Sequence, residues 1–232
     1  MDPKRKAFID QGYITISNFF TNSEMSEACL EASKAVQIAR KLDKTHFVHG
    51  AKFVKPAGNA SKEVCLRVEW IKHLFFGISR ITKHKRMYTL LRILCDYDDF
   101  DEIICQLNYR IPNDKTYYPI HRDLQLDKGI FKSENDIQHS ALVAIGLGEA
   151  NQHNSPLVLF PKSHKEDFAY TADELTLTEG LKMPLGIGDI VVFHPALLHG
   201  SGPNRTKLYR HLALSLFVPK NSYERNSPDF SI

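Results

Sequence analysis

Two short segments carry residue types that could bind a metal ion. In His121-Arg122-Asp123, residues two apart on a strand would face the same side, so His121 and Asp123 could bind one ion. In the second segment, His199 is followed directly by Gly-Ser-Gly-Pro-Asn. Two histidines and one carboxylate form a facial triad, which leaves positions open on Fe(II) for a cosubstrate and O₂. A His-x-Asp pair alone occurs often by chance, so the prediction depends on its companions.

The segment after His199 predicts a strand that carries an arginine. Arg210 is an even number of residues from each leucine of that strand, so these side chains face the same side: Leu208, Leu212, Leu214 and Leu216. Arg210 is therefore expected on the apolar face, where an arginine is costly unless an anion pairs with it. A carboxylate is its best geometric partner, and 2-oxoglutarate presents one at its far end. The competing candidate, Arg205, lies in the predicted turn and is expected to be solvated.

With their connecting segments, these residues make the chain similar to the phytanoyl-CoA dioxygenase family of Fe(II)- and 2-oxoglutarate-dependent oxygenases. The resemblance covers about residues 8–218. It includes Gln-Gly-Tyr-Ile-Thr-Ile-Ser-Asn-Phe-Phe at 11–20, Ser-Pro-Leu-Val-Leu-Phe-Pro-Lys-Ser-His-Lys at 155–165 and Gly-Asp at 188–189. The family often has glycine at the positions of Ser155 and Lys162, so we expect that loop to differ in shape.

The resemblance implies a role for each matching residue. His121, Asp123 and His199 would hold the iron, and Arg210 would bind the distal carboxylate of 2-oxoglutarate beside the Ser201 hydroxyl. Weaker candidates for contacts to cosubstrate or substrate are Gln106, Asn108 and Tyr118. The implied reaction hydroxylates a carbon of a small molecule with O₂ and releases succinate and CO₂. A carboxylate ligand favours hydroxylation over halogenation, whereas desaturation, epoxidation and ring closure stay open.

Several alternatives remain beside this interpretation. His194 could replace His199 as a ligand, but the family motif places its Gly-Ser-Gly turn directly after the ligand. His164 is expected to order a loop rather than to bind metal. Two other functions stay open. One is a cupin-like metal enzyme that does not use 2-oxoglutarate, and the other is a non-catalytic ligand-binding protein of the same fold.

The elements that must position these residues change character along the chain. Thr21-Asn22-Ser23-Glu24 fits a capping box and predicts a helix to about residue 40, followed by a loop over 43–62 and helix again over 63–95. Later runs rich in β-branched and aromatic residues predict strands at 103–111, 117–121, 139–147, 156–160, 181–185, 190–194 and 208–218. We therefore predict a mainly β fold with N-terminal helices, a double-stranded β-helix or jelly roll of two antiparallel sheets.

Composition is that of a globular protein, with 232 residues of which 43% are hydrophobic and 25% charged. We expect one domain over 1–232, with a mostly helical cover at 1–100, a jelly-roll core at 101–218 and a polar tail at 219–232. The net charge of +3 predicts no nucleic-acid partner. The chain has no secretory signal and no apolar run of about 20 residues, so we expect a cytoplasmic location without membrane contact. We expect a small-molecule substrate and no protein partner.

A basic segment, Lys72–Arg92, precedes an acidic cluster over residues 96–102. Such a segment could bind an anionic partner. The neighbouring acidic residues cancel its field, so we expect a solvated helix face instead.

Overall fold

The computed structural model describes residues 1–54, 67–113, 115–123, 133–149 and 151–222. In chain order the strands are β1 (Tyr13–Ile16), β2 (His46–Val48), β3 (Ala51–Val54), β4 (Arg67–Glu69), β5 (Phe100–Arg110), β6 (Tyr118–His121), β7 (Ala141–Gly146), β8 (Leu157–Leu159), β9 (Leu181–Met183), β10 (Ile190–Phe193), β11 (His199–Ser201) and β12 (Arg210–Pro219). The helices are α1 (Pro3–Gln11), α2 (Asn22–Arg40), α3 (Phe76–Thr82), α4 (Lys85–Cys95) and α5 (Glu134–Gln138). Short 3₁₀ helices occur at Ile71–His73 and Ala172–Glu174.

The strands form two antiparallel sheets. The large sheet has the order β1-β10-β7-β12-β5-β4-β3-β2, and the small sheet has the order β6-β11-β8-β9. All seven strand segments predicted from residue 103 onward overlap an observed strand. The prediction of a jelly roll with N-terminal helices is confirmed, and the structure neighbours described below share this fold.

Apolar side chains fill both sides of the large sheet. Its inner face meets the small sheet in one cluster that includes Leu142, Val191, Phe193, Leu212 and Leu216. The alternate residues of the same strands contribute to a second cluster with the N-terminal helices. Because both faces are covered, β7 and β10 are buried at every position. In sequence, strands of this kind are continuous apolar runs rather than alternating patterns.

Helix α2 begins as the sequence predicts. The Thr21 hydroxyl accepts from the Glu24 backbone N–H, and the Glu24 carboxylate accepts from the Thr21 backbone N–H. This reciprocal capping box satisfies two N–H groups at the helix start. The helix ends at Arg40 and buries its apolar side against the large sheet.

Strands in the first hundred residues extend the large sheet beyond the predicted core. The expected loop over 43–62 is wrong for its described part, because β2 and β3 form a hairpin there. Its turn residues His49 and Gly50 have φ values of 46° and 84°, which suit the tight two-residue hairpin turn that matches strand twist. The rest of that segment lies outside the described residues. The expected helix over 63–95 is wrong at Arg67–Glu69, which pairs with β3 and β5.

The basic segment is partly neutralised by helix α2. Arg80 pairs with Glu27 at 2.7 Å, and Arg86 pairs with Glu24 at 2.5 Å. These ion pairs lie on an exposed face, in keeping with the expected solvated surface. Among the helices that the structure describes, none has the length and apolar character needed to cross a bilayer.

A buried carboxylate joins α2 to α3. Glu31 on α2 accepts from the backbone N–H groups of Gly77 at 2.9 Å and Ile78 at 2.8 Å. A Cβ at position 77 would lie 2.7 Å from Glu31 Oε2, so glycine permits this close approach. The carboxylate therefore satisfies N–H groups at the start of α3 that no helical carbonyl can reach.

Glu31→Ala is expected to lower the free energy of unfolding by about 2 kcal/mol, because two buried N–H groups lose their acceptor. Urea unfolding followed by circular dichroism measures this change. The matched control is Glu27→Ala on the same helix. The Glu27 carboxylate pairs with the exposed side chain of Arg80, and exposed ion pairs contribute little, so this variant should unfold nearly as the parent does. Equal effects of the two substitutions would contradict the role of Glu31.

Candidate metal centre

Strands β6 and β11 bring two histidines side by side. His121, the last residue of β6, is the Cα partner of His199, the first residue of β11. Their imidazole centroids lie 4.3 Å apart. Sequence analysis placed no strand at His199–Ser201, where the Gly-Ser-Gly-Pro-Asn stretch indicated a turn. The pairing register shifts between His199 and Ser201. Irregularities of this kind change the direction of nearby side chains and are frequent next to active sites.

Asp123 completes a group of three possible metal ligands. It lies two residues beyond the end of β6, so the expectation that it shares a strand with His121 is wrong. Its Oδ1 is 3.6 Å from His121 Nε2, and its Oδ2 is 3.6 Å from His199 Nε2. The three ligand atoms lie within 4.8 Å of one another. Ligands bound at about 2.1 Å to one ion lie about 3–4 Å apart, so these atoms fit a common ion.

Hydrogen bonds orient both imidazoles toward this centre. His121 Nδ1 lies 2.8 Å from the Pro119 carbonyl, and His199 Nδ1 lies 3.0 Å from the Leu197 carbonyl. A carbonyl accepts only from a protonated nitrogen, so the Nε2 lone pairs are left for a metal. Asp123 Oδ2 is buried and has no hydrogen-bond partner within the described ranges. A buried acceptor of this kind is satisfied by a cation, so the donor set fits a divalent metal.

The ionisation states of Asp123 and His199 also suit metal binding. Burial alone raises the pKa of the Asp123 carboxyl, but the neighbouring imidazoles of His199 and His121 outweigh it and hold the pKa below its ordinary value. Burial lowers the pKa of the His199 imidazole, in opposition to the attraction of Asp123. An ionised carboxylate and a neutral imidazole are the forms that bind a divalent cation.

Arg122, between the two ligands, points away from the triad. Its Nε donates to the Ala196 carbonyl at 2.8 Å, and its Nη2 donates to the Ser163 carbonyl at 2.8 Å. The guanidinium therefore joins the segment that carries His121 and Asp123 to the loop that precedes His199.

Arg210 lies where its parity predicts, on the inner face of the large sheet. It is 4% exposed, whereas Arg205 in the preceding turn is exposed. Its Nε donates to the Ser155 carbonyl at 3.0 Å, and its Nη1 reaches the Asn108 carbonyl at 3.5 Å. Ser201 is 3% exposed and belongs to the same strand as His199. The guanidinium and this hydroxyl thus lie on the same interior as the triad.

A second buried arginine was missed by sequence analysis. Arg110 is the Cα partner of Arg210 across β5 and β12 and is 1% exposed. Its Nη2 donates to Ser201 Oγ at 3.4 Å, and its guanidinium carbon lies 4.3 Å from the centroid of the Tyr118 ring. Arg110 has the parity of Gln106 and Asn108 along β5, and that parity is the signal that could have identified it.

Gln106 and Asn108 also face the interior. They are the Cα partners of Leu214 and Leu212, and directly opposed residues of an antiparallel pair share a face. Both are partly buried. Tyr118 stacks with Arg110, so the structure places it beside the Arg210 end of the site rather than among the three metal-ligand candidates.

The two departures from the family pattern occupy special backbone positions. Ser155 has φ 63° and Lys162 has φ 68°, both in the left-handed region that favours glycine. A change of loop shape is therefore not required by the loss of glycine, because Ser155 and Lys162 adopt the left-handed backbone conformation that glycine adopts readily. The Ser155 hydroxyl donates to the Gly202 carbonyl, which supports this backbone locally.

His194 and His164 form a separate pair outside the triad. Their ring centroids lie 5.3 Å apart, and His194 Nδ1 accepts from the Ala196 N–H. His164 Nε2 meets the Ile9 carbonyl at 2.9 Å, in agreement with the expectation that it orders a loop. Burial lowers the pKa of His194 to about 3, so this residue stays neutral while the chain is folded.

Acid is expected to destabilise the fold through His194. The unfolded chain gains a proton near pH 6.5 whereas the folded chain does not until about pH 3, so stability is complete above 6.5 and falls as pH drops. Between pH 7 and pH 5 this loss is about 2 kcal/mol. Urea unfolding at the two pH values should show a smaller loss in His194→Gln than in the parent. An identical pH dependence would contradict the assignment.

Comparison with known proteins places this geometry in a family. The model of the phytanoyl-CoA dioxygenase family matches residues 8–212. A probable alpha-ketoglutarate-dependent hypophosphite dioxygenase from Stutzerimonas stutzeri is 24% identical over an aligned length of 237 residues. The alignment covers 91% of this chain and 76% of the relative.

Solved structures share the fold of this chain. EctD from S. alaskensis, determined with 2-oxoglutarate and 5-hydroxyectoine, has a TM-score of 0.75 at 18% identity and covers 96% of this chain and 77% of its own. The non-heme alpha ketoglutarate dependent carbocyclase SnoK from nogalamycin biosynthesis has a TM-score of 0.75 at 14% identity, over 99% of this chain and 88% of its own. The chain therefore belongs to the phytanoyl-CoA dioxygenase family, as its motifs predicted, and has the jelly-roll fold of 2-oxoglutarate-dependent oxygenases.

Proposed function

We propose that the protein uses Fe(II), 2-oxoglutarate and O₂ to hydroxylate a small molecule, with release of succinate and CO₂. One observation carries this proposal: the ligand atoms of His121, Asp123 and His199 converge on the same interior that buries Arg210 and Ser201. A divalent metal and an anion with two acidic ends would be held together by these groups. 2-Oxoglutarate has that shape and charge.

Each residue of the site has a separable task in this proposal. His121, Asp123 and His199 would hold the iron on one side and leave its other positions open. Arg210 and the Ser201 hydroxyl would bind and orient the distal carboxylate. When bound, iron and 2-oxoglutarate would supply the activation of O₂: O₂ is the oxidant and the source of the oxygen atom, and 2-oxoglutarate is the two-electron reductant that leaves as succinate and CO₂. The ring of Phe193, 5.0 Å from that of His199, helps to exclude water from the centre.

Arg110 supports the cosubstrate end in this scheme. Its Nη2 donates to Ser201 Oγ, so the oxygen of that hydroxyl already has a donor. The Ser201 O–H is then free to donate to the distal carboxylate. Gln106 and Asn108, on the next rows of the same face, would contact the cosubstrate or the substrate.

The other functions left open by the sequence are less well supported. A metal enzyme without 2-oxoglutarate would not require an anion-binding arginine, yet Arg210 is buried on the face of the metal site. A non-catalytic binding protein would not require the complete set of His121, Asp123 and His199, which this chain retains. Hydroxylation is one of several outcomes of this chemistry, since SnoK with the same fold is a carbocyclase.

Substrate-stimulated turnover tests the proposal. Purified protein loaded with Fe(II) is screened against a metabolite library for O₂-dependent formation of succinate from 2-oxoglutarate. Mass spectrometry of the product then separates hydroxylation, which adds one oxygen atom, from desaturation or ring closure, which removes a hydrogen pair. Protein that binds Fe(II) but not 2-oxoglutarate would overturn the assignment of cosubstrate. A product without added oxygen would correct the reaction type.

A further inference from the structure

The inner face of the large sheet continues past β5 as a strip of three charged side chains, Lys52, Arg67 and Glu69, here called the charged strip. Arg67 on β4 is the Cα partner of Asn108 on β5, which in turn is the partner of Leu212 on β12. Directly opposed residues of antiparallel strands face the same side. Leu212 packs in the cluster between the two sheets, so Arg67 faces the interior that holds the triad.

One acidic group lies between two basic groups in the charged strip. Arg67 Nε and Nη2 both donate to Glu69 Oε1 at 2.7 Å, and Lys52 Nζ lies 3.3 Å from Glu69 Oε2. The strip therefore keeps one net positive charge. The side chains of Lys52, Glu69 and Arg67 are 31%, 20% and 34% exposed, so a ligand from solvent can reach them.

Arg67 keeps donors for a further partner. A guanidinium has five N–H groups in a fixed fork, and within the described ranges Arg67 uses its Nε and Nη2 for Glu69. Beside it, the amide oxygen of Asn108 is buried and has no hydrogen-bond partner among the described residues. Donors on Arg67 and an acceptor on Asn108 thus face one space from neighbouring strands.

This space lies on the inner face of the large sheet, which packs against the small sheet that carries His121 and His199. Asn108 joins it to the cosubstrate end, because the Asn108 carbonyl lies 3.5 Å from Arg210 Nη1. Arg210 lies on β12, two residues from Leu212, which is the partner of Asn108. Strand β12 pairs with one edge of β5, and β4 pairs with the opposite edge. A cosubstrate that extends from Arg210 to the triad would therefore leave the charged strip to a second molecule.

A purely structural ion pair explains the strip poorly. A single ion pair balances one cation with one carboxylate, whereas Glu69 faces both Arg67 and Lys52. One positive charge is therefore left for an anionic ligand, and hydrogen bonds between ionised groups are strong. Arg67 suits this task, since its fork matches the paired oxygens of a carboxylate or a phosphorus oxyacid.

We propose that the substrate is a small molecule with an anionic oxygen group, a carboxylate or a phosphorus oxyacid, which binds at Arg67 and Lys52 while its reacting atom lies at the triad. This inference rests on the function proposed above. It assigns Arg67 and Lys52 to substrate recognition and leaves the cosubstrate to Arg210.

Binding experiments can test the charged strip without turnover. The protein is loaded with Zn(II) and saturating 2-oxoglutarate, so that the cosubstrate end is occupied. Ligand-observed NMR then measures binding of a panel of small carboxylic and phosphonic acids and of their neutral methyl esters. We expect acids to bind and their esters to bind at least about tenfold more weakly, since the loss of a charged hydrogen bond has this effect.

Two variants at the strip have opposite expected effects. Arg67→Gln should weaken binding of the acids at least about tenfold and leave 2-oxoglutarate affinity unchanged. Glu69→Gln removes the competing carboxylate, which frees the donors of Arg67 and Lys52, and should tighten acid binding. Lys52→Gln should weaken acid binding less than Arg67→Gln. Arg205→Gln, at an exposed arginine away from the strip, is the matched control and should change nothing.

Several outcomes would overturn the inference. These are esters that bind as well as acids, a panel in which no acid binds, and Arg67→Gln protein that binds acids as the parent does. If Arg67→Gln fails to fold, Glu69→Gln decides, because a structural strip predicts lower thermal stability with no gain in acid binding. Failure of the parent to bind 2-oxoglutarate would instead contradict the proposed function. The two failures are therefore distinguishable.

Discussion

Asp123→Ala is expected to abolish turnover and to weaken Fe(II) binding by more than about 100-fold, because changes in residues that merely orient ligands already cost about 10–100-fold. The variant loses the negative charge that lies between His121 and His199. Anaerobic equilibrium dialysis with Fe(II), followed by a succinate assay, measures both effects.

The metal-free form of this variant should be about as stable as the parent. Removal of the carboxylate relieves the burial of an Oδ2 atom that has no partner among the described residues, but it also removes the attraction to His199 and His121. Loss of metal binding without loss of thermal stability would therefore identify a ligand rather than a structural residue. Asp173→Ala, at an exposed carboxylate, is the control and should bind Fe(II) normally. Iron affinity within a few fold of the parent in Asp123→Ala would contradict the triad.

Arg210→Met is expected to raise the 2-oxoglutarate concentration required for half-maximal turnover by about 30- to 1000-fold, which corresponds to about 2–4 kcal/mol. The guanidinium is replaced by a side chain that fills similar space without donors, while the metal-ligand candidates stay unchanged. Fe(II) binding should therefore persist. Succinate formation at varied 2-oxoglutarate concentration measures the cosubstrate requirement, and dialysis with Fe(II) measures metal binding.

Arg205→Met is the matched control for this prediction. Arg205 lies in the turn before β12 and is exposed, whereas Arg210 is 4% exposed. The control should keep the 2-oxoglutarate requirement of the parent. Arg210→Lys retains the charge without the fork and should give an intermediate requirement. Unchanged 2-oxoglutarate dependence in Arg210→Met would remove this residue from the cosubstrate site.

Patterns local in sequence predicted much of this fold. The capping box at Thr21 and Glu24 and the apolar runs after residue 103 specify their elements almost alone. Strand β11 escaped prediction because Gly200 and the following turn residues have low strand propensity. Pairing with β6 and β8 on both sides makes His199–Ser201 a strand despite that propensity.

The residues of the candidate site also differ in whether the local sequence could predict them. His121, Asp123, His199 and Arg210 could be predicted because their spacing belongs to a recognisable motif. The position of Arg110 along β5 could have indicated its inward direction, but its contact with Ser201 could not be predicted, because that contact joins β5 of the large sheet to β11 of the small sheet.

The charged strip was hidden for another reason. Its residues lie on β3 and β4, within segments whose local pattern indicated loop and helix. Strand β4 has only three residues, and its register with β5 is what turns Arg67 toward the interior. The proposed recognition of an anionic substrate therefore depends on tertiary pairing that no local pattern of the sequence specifies.

The bonds of Arg122 have a consequence for how the centre acquires its metal. Because its donors reach the Ala196 and Ser163 carbonyls and use none of the metal-ligand atoms, these bonds can hold the ligand-bearing segments together whether or not an ion is bound. We therefore expect metal uptake to require no coupled folding, and calorimetry to show only a small heat-capacity change on binding. Uptake by such a preorganised receptor would be limited by the rate of metal entry rather than by rearrangement of the chain.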